Sequence, residues 1–558
     1  LLGVDGMDPR FTRRLVDEGK LPNVKKLMEM GSCREDLMML GANPTITPPM
    51  WATLATGTYP MTHGIMDYNI SADEDKDITL GAFSSRFMKA EPLFNVTAKA
   101  GKKTLVMHWP GGSFPPTIDS ENLITIDGSS PGACCAWSNE RDLDMLYVAS
   151  TKCEKPSYMP MSIKTTDIEG DETLKYALGA TSSGGKSPEA KERMAYYQKW
   201  YKDFIGVEGY TPSGSFVVDN VVYGNKEGLM WELADFPTGC SLSPVFPANG
   251  WEVEIPADAK EFVIITFFGK VMRPALILKN EAGVYDKVAV YMSKEDAEPL
   301  FVLEKDVYTP NCPDTMPTKK GMVKAVRNMR LLDIDEDGNY VRLWAGCAVD
   351  CENSDCWYPR WIFDKVNERF GPPPATSMAA CQDESIIIKC GHEQWKQSAE
   401  WQAKAMQYMM DEEGVEVIFS HFHGPDLAGH AYLKYMKERE NSIVSEDTAR
   451  AWHENTYKWS DEYIGYFLPY IDKGWTVIVT SDHALICPEG ENVELGDNVG
   501  INVGIMEELG YTVLQRDENG NRIPKIDWEK TRAVQTRANS IYLNLKGRDR
   551  YGIVDPAD

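Results

Sequence analysis

Three short apolar runs, far apart in the chain, are each followed closely by an aspartate. Residues 1–4 lead straight into Asp5, residues 415–419 are followed by a short loop to Asp426, and residues 476–480 are separated from Asp482 by Ser481 alone. Runs of this length between helix-like stretches read as buried strands of a parallel sheet. In an open α/β sheet, ligands bind in the crevice outside the carboxyl ends of the strands. A chain with this pattern can bring three carboxylates from distant segments into one crevice. The predicted fold class is α/β, a mainly parallel sheet sandwiched by helices.

The same alternation divides the chain. Residues 1–145 carry helices over 9–18 and 22–30 and a strand over 104–107 that ends at His108-Trp109-Pro110, and read as the N-terminal part of a core. Residues 146–390 read as an insertion that includes a β-rich subdomain at about 205–345. Its β-type runs, at 262–268, 275–278 and 288–292, are separated by turn chemistry such as Asn280-Glu281-Ala282-Gly283. Pro372-Pro373-Pro374 marks the return to the core. Residues 391–558, with helices over 393–410 and 446–470, read as its C-terminal part and are expected to be incomplete at their end.

Composition narrows the partners. The chain has 558 residues, 43% of them hydrophobic, enough for a large core and too many for a disordered chain. Its 84 acidic against 58 basic residues give a formal net charge of −26. Such a chain repels long polyanions, so no nucleic-acid polymer and no membrane partner is expected. Small phosphorylated substrates stay open, because bound metal ions reverse the local field. No apolar run reaches the ~18 residues of a transmembrane helix. The first residues read as mid-strand, so residues are expected to precede position 1, and the expected compartment is the cytoplasm. The 12 cysteines are scattered, without paired Cys-x-x-Cys units, and read as reduced thiols.

Two of the three aspartates travel with histidine. His430 follows Asp426 by four residues, which share a face if a helical turn starts there, and His483 follows Asp482 at once. Carboxylate with neutral imidazole suits zinc, and also manganese or iron. Either pair alone is an ordinary polar loop; two pairs plus Asp5, all at strand ends, point to a metal site. A hydroxyl candidate lies in Thr47-Pro48-Pro49-Met50-Trp51. Thr47 suits a helix N-cap, Pro48 the first helical position and Gly57 the helix end. There a hydroxyl sees the positive end of the helix dipole and free amides, which favours an alkoxide and a phosphoryl group.

Other features carry less. Asp333 to Gly338 starts like a calcium loop, but the twelfth position is Trp344, and Asp337-Gly338-Asn339 reads as a hairpin turn. Cys33 lacks the flanking Pro and Arg of a sulfatase nucleophile. His421 and His423 could stand behind the metal ligands, although lining a polar loop is the plainer reading. His392 and His453 read as surface or packing residues.

Together these segments resemble the alkaline phosphatase superfamily, nearest its type I phosphodiesterase/nucleotide pyrophosphatase members and the predicted phosphohydrolase/phosphomutase branch. The matching pieces are Gly3-Val4-Asp5-Gly6-Met7-Asp8 with Leu21-Pro22-Asn23, Thr47 to Trp51 running to Thr62-His63-Gly64, and His108-Trp109-Pro110-Gly111. Pro425-Asp426 through His430, Ser481-Asp482-His483 and Ile541 to Arg548 complete them. The resemblance covers about 1–145 and 395–558. It implies an alkaline phosphatase-like core and two divalent metal ions, zinc first and manganese as the alternative. One ion would take Asp5, Thr47, Asp482 and His483. The other would take Asp426, His430 and a third histidine near the C-terminus, yet no histidine follows His483 here. A second departure is Ala484, where the family usually has glycine.

The resemblance further implies a phosphodiesterase or nucleotide pyrophosphatase mechanism: a metal-activated Thr47 nucleophile and a phospho-threonine intermediate. Family members add a side-chain amide donor after the nucleophile helix; Asn69 is the candidate oxyanion donor here and Tyr68 the second. The expected substrate is small, phosphorylated and nucleotide-like, with homo-oligomerisation left open. The alternatives are a phosphomutase or phosphonate hydrolase of the same superfamily, or a degenerate binder of phosphorylated ligands.

Overall fold

The computed structural model describes residues 1–37, 45–71, 79–126, 140–141, 145–152, 157–159, 216–218, 221–223, 239–266, 271–318, 321–375, 387–433, 436, 445–485, 503–535 and 541–558. Its centre is a six-stranded sheet in the order Trp357–Tyr358, Leu123–Ile126, Thr104–Met107, Val417–Phe422, Leu2–Val4, Val479–Thr480. The last five run parallel, and only the Trp357–Tyr358 edge is antiparallel. Gly3 pairs with His421 and Val4 with Phe422, so the chain's first strand lies between two strands from its last third.

Period-two alternation splits the strand side chains between two faces. Leu105, Met107, Ile418 and Phe422 join one core, packed under the helices Pro9–Asp17, His392–Asp411 and Glu446–Gly465. Val106 and Phe419 point the other way, into a core with Trp51, Phe94 and Trp109 from the helices Thr47–Thr56 and Leu93–Lys99 and the loop after Met107. This is the α/β layering that the strand-end pattern predicts. The boundaries differ in detail. The strand expected over 415–419 runs over Val417–Phe422, which carries His421 into the sheet. That expected over 476–480 pairs only at Val479–Thr480. The helix expected over 446–470 ends at Gly465, and a separate short helical turn covers Leu468–Tyr470.

The middle of the chain forms two further sheets. One is antiparallel, with five strands: Phe246–Pro247, Lys260–Thr266, Val271–Lys279, Tyr285–Val290 and Phe301–Glu304. The other is mixed and includes Met145–Ser150, Gly239–Pro244, Gly321–Ile334 and Tyr340–Ala345, with Tyr308–Thr318 paired to Gly321–Ile334. Both share one core around Phe262, Ile277, Leu331 and Trp344. The hairpin turn expected at Asp337-Gly338-Asn339 joins two of these strands, and Gly338 takes the left-handed φ of 63° that such a turn requires. Among the described residues no helix is long and apolar enough to cross a membrane.

Candidate metal centre and nucleophile

Asp5 stands at the carboxyl end of the central Leu2–Val4 strand and is fully buried. Its backbone N–H bonds the Phe422 carbonyl at 2.9 Å, and its carbonyl accepts from the Asp426 N–H at 3.2 Å. Gly6 follows at φ 70°, where a Cβ would meet the Asp426 Cα at 2.7 Å, so the turn lies directly against the second acidic segment. The Gly6 amide donates to Asp482 Oδ1 at 3.4 Å and the Met7 amide to Ser481 Oγ at 3.0 Å. One tight turn thus ties together the three segments that carry the aspartates.

The helix Thr47–Thr56 is fixed to the same turn by Trp51. Its ring covers Gly3, where a Cβ would lie 2.4 Å from the indole, and it packs edge-on to Trp109 and to His421. The Trp51 indole N–H donates to Asp5 Oδ2 at 3.2 Å. Truncating a fully buried tryptophan of this kind costs about 3–5 kcal/mol. Thr47 is the first helical residue and Ile46 the cap, one position on from the expected N-cap. Pro48 and Pro49 have no N–H. The helix therefore lacks the free amides expected at those two positions, and side-chain donors gain weight at its start. Tyr68 supplies one: its hydroxyl donates to Thr47 Oγ1 at 3.1 Å.

Around Thr47 the distances resemble those within a ligand shell. His483 Nε2 lies 3.2 Å from Thr47 Oγ1, 3.2 Å from Asp482 Oδ2 and 3.6 Å from Asp5 Oδ1. Ligand atoms ~2.0–2.1 Å from a tetrahedral zinc sit roughly 3.3 Å from one another. Asp5, Asp426 and His483 also place one ligand atom each within 4.8 Å of one another. Asp426 sits in the first turn of the helix Gly424–Tyr432. His430 lies on that helix and Asn69 opens the strand Asn69–Ser71, but both side chains lie outside the described residues.

The electrostatics of this crevice favour a cation. Burial, followed by the charges of Asp5 and Asp426, pushes Asp482 well above the usual carboxylate range. Burial works the same way on Asp5, but the imidazoles of His423, His421 and His483 outweigh it and hold that carboxyl below its usual range. Asp5 Oδ1 and Asp482 Oδ2 are buried with no hydrogen-bond partner. Buried carboxylate oxygens without donors are costly unless a cation meets them. The donor set present therefore fits a divalent ion.

Sequence reasoning understated two histidines and missed one tryptophan. His421 does not line a loop: it is 1% exposed, on the strand face that meets Trp51, and its Nε2 lies 2.9 Å from Asp5 Oδ2. Burial lowers its pKa, so it stands as a neutral imidazole donating to that oxygen. Trp51 and His421 both donate to Oδ2, which leaves Oδ1 turned toward His483. His423 lies 2.9 Å from Asp426 Oδ2. Alternation from Phe419 was the available signal for His421, had the strand been extended through it. His63, in contrast, accepts from the Ile65 amide and bonds Thr53 Oγ1, and burial lowers its pKa to about 4. It is a packing residue of the helix end.

A family model described as "Type I phosphodiesterase / nucleotide pyrophosphatase" matches residues 1–167 and 338–497, more than half of the chain. Among similar curated proteins, ectonucleotide pyrophosphatase/phosphodiesterase family member 3 of Mus musculus is 26% identical over 174 residues, 29% of this chain and 18% of its own length. Venom phosphodiesterase 2 of Crotalus adamanteus is 26% identical over 160 residues, 27% of this chain and 18% of its own length. Family member 1 of Homo sapiens is 30% identical over 165 residues, 27% of this chain and 16% of its own length. The chain thus spans under a fifth of the length of these relatives. A solved phosphonoacetate hydrolase from Sinorhizobium meliloti 1021 is 24% identical over 19% of this chain and 25% of its own, with a TM-score of 0.17.

Proposed function

Since this chain belongs to the type I phosphodiesterase / nucleotide pyrophosphatase family, we propose that it is a metal-dependent phosphoester hydrolase with Thr47 as nucleophile. The observation that carries the reading is the Thr47 hydroxyl itself. It begins a helix, lies 3.2 Å from His483 Nε2 and 3.1 Å from the Tyr68 hydroxyl, and adjoins buried carboxylates that lack enough donors. Asp5, Thr47, Asp482 and His483 would hold one divalent ion, and Asp426 and His430 would contribute to a second, zinc first and manganese as the alternative. Such ions, when bound, supply Lewis acidity that neutralises phosphate oxygens and lowers the pKa of a hydroxyl.

The chain's own residues do the rest. Thr47 Oγ1 forms a bond to phosphorus in line with the leaving oxygen, whose bond breaks, and the hydroxyl proton passes to solvent. Tyr68 fixes the direction of attack through its hydrogen bond to Oγ1, and Asn69 is the first candidate donor to a phosphoryl oxygen, with Tyr68 the second once its proton is released from Oγ1. Water then attacks phosphorus, the bond from phosphorus to Oγ1 breaks, the phosphate product leaves, and a proton from solvent restores the hydroxyl. The substrate class is a small phosphorylated molecule with a nucleotide-like leaving part, in keeping with the names of the relatives. The family match breaks off at 167 and resumes at 338, which supports reading the β-rich middle as an insertion into a core made of 1–145 and 391–558.

Turnover of bis-p-nitrophenyl phosphate with added Zn²⁺ or Mn²⁺ tests this reading. Thr47→Ala is expected to lower kcat by about a thousandfold or more with the fold intact. Unchanged turnover in that variant would eliminate Thr47 as the nucleophile.

A further inference from the structure

His423 belongs to none of the motifs that place the aspartates, yet it occupies the gap between two of them. It stands just before the helix Gly424–Tyr432, with its side chain 13% exposed. Its Nε2 lies 2.9 Å from Asp426 Oδ2 and 3.8 Å from Asp5 Oδ2. The second distance is too long for a hydrogen bond. The first is close to the roughly 3.3 Å that separates two ligand atoms on one tetrahedral ion. Asp5, His421 and His423 also form a group whose ligand atoms lie within 4.8 Å of one another. Within that group the two imidazoles differ. His421 is fully buried and spends its Nε2 on Asp5 Oδ2, as does the Trp51 indole. His423 is the ring that reaches the rim of the crevice, beside Asp426.

We propose that His423 is a metal ligand: with Asp426 it holds the divalent ion on the Asp426 side of the crevice. This rests on the reading of a metal-dependent hydrolase. His421 is then a positioning residue that orients Asp5 from behind, and His423 contacts the ion directly.

The test is a Zn²⁺ titration of the full chain against a chromophoric chelator, with metal content by mass spectrometry and folding checked by circular dichroism. Two variants are compared with wild type. His423→Ala removes the ring, and His423→Gln places an amide N–H near the position of Nε2, so it keeps a hydrogen bond to Asp426 without a good zinc ligand. The expected result is that both variants lose one equivalent of zinc, or bind it more than about 100-fold more weakly, beyond the ~10–100-fold that loss of an outer hydrogen-bond partner causes. Wild-type affinity in His423→Gln would overturn the proposal and leave His423 as a hydrogen-bond partner of Asp426. Wild-type stoichiometry and affinity in both variants would overturn it as well. A wild-type chain that binds no divalent ion would overturn both this proposal and the functional reading beneath it.

Discussion

Arg273 and Asp314, in the β-rich middle, are both nearly buried and lie 2.7 Å apart, with Thr315 Oγ1 also accepting from the guanidinium at 2.9 Å. Glu261, also buried there, meets Lys294 at 2.6 Å and the Trp251 indole at 2.9 Å. Asp5, Asp426 and Asp482, at the carboxyl ends of the parallel strands, are just as buried, but the groups that face them are histidines, an indole and one another. Charge is neutralised at these two sites of the middle region and, among the described residues, left in excess at the strand ends. The difference separates buried charge that is paired within the fold from buried charge that, under the proposed function, would meet a bound cation.

Paired substitutions would break this comparison most sharply. Asp314→Ala leaves Arg273 buried without its carboxylate and is expected to cost about 3–5 kcal/mol. Asp482→Asn relieves a carboxylate that burial and its neighbours disfavour. In chelator-treated protein it is expected to raise stability by about 1 kcal/mol while abolishing turnover. Denaturant unfolding of both variants without metal reads the signs. A loss of stability in Asp482→Asn equal to that in Asp314→Ala would erase the distinction between the regions.

A smaller effect concerns a buried imidazole away from the crevice. His453 packs against Phe11 and Tyr457, has no hydrogen-bond partner at either ring nitrogen, and has its pKa lowered by burial to about 4. Its folded value is depressed below the unfolded ~6.5. Its contribution is therefore complete above that pH and is lost as pH falls from about 6.5 through 4, up to about 3 kcal/mol. His453→Phe is expected to flatten the Tm–pH profile in that window; an unchanged acid limb would show that His453 does not titrate there.

The strand-end aspartates were legible because short apolar runs before Asp5 and Asp482 admit few other readings. The helix Pro22–Met30 was legible to the residue, because proline and glycine bracket it. The strand Tyr308–Thr318 was not, since Pro310, Pro313 and Pro317 argue against a strand unless it lies at an edge, which is where this one pairs. His421 was hidden by its polarity: a histidine three residues before a glycine reads as loop, and only its pairing with Gly3 and its contact with Trp51 reveal a sheet position. The hydrogen bond from Tyr68 to Thr47 depends on a turn whose geometry no local pattern specifies.

Under the proposed function, the excess carboxylate charge at the strand ends holds a divalent cation against Thr47. Anomalous diffraction at the zinc edge, from crystals grown with Zn²⁺, tests it most directly. The account expects a peak within bonding distance, about 2 Å, of Thr47 Oγ1, Asp5, Asp482 and His483. A zinc-loaded crystal with no peak at those atoms, or with zinc bound only elsewhere on the molecule, would contradict it.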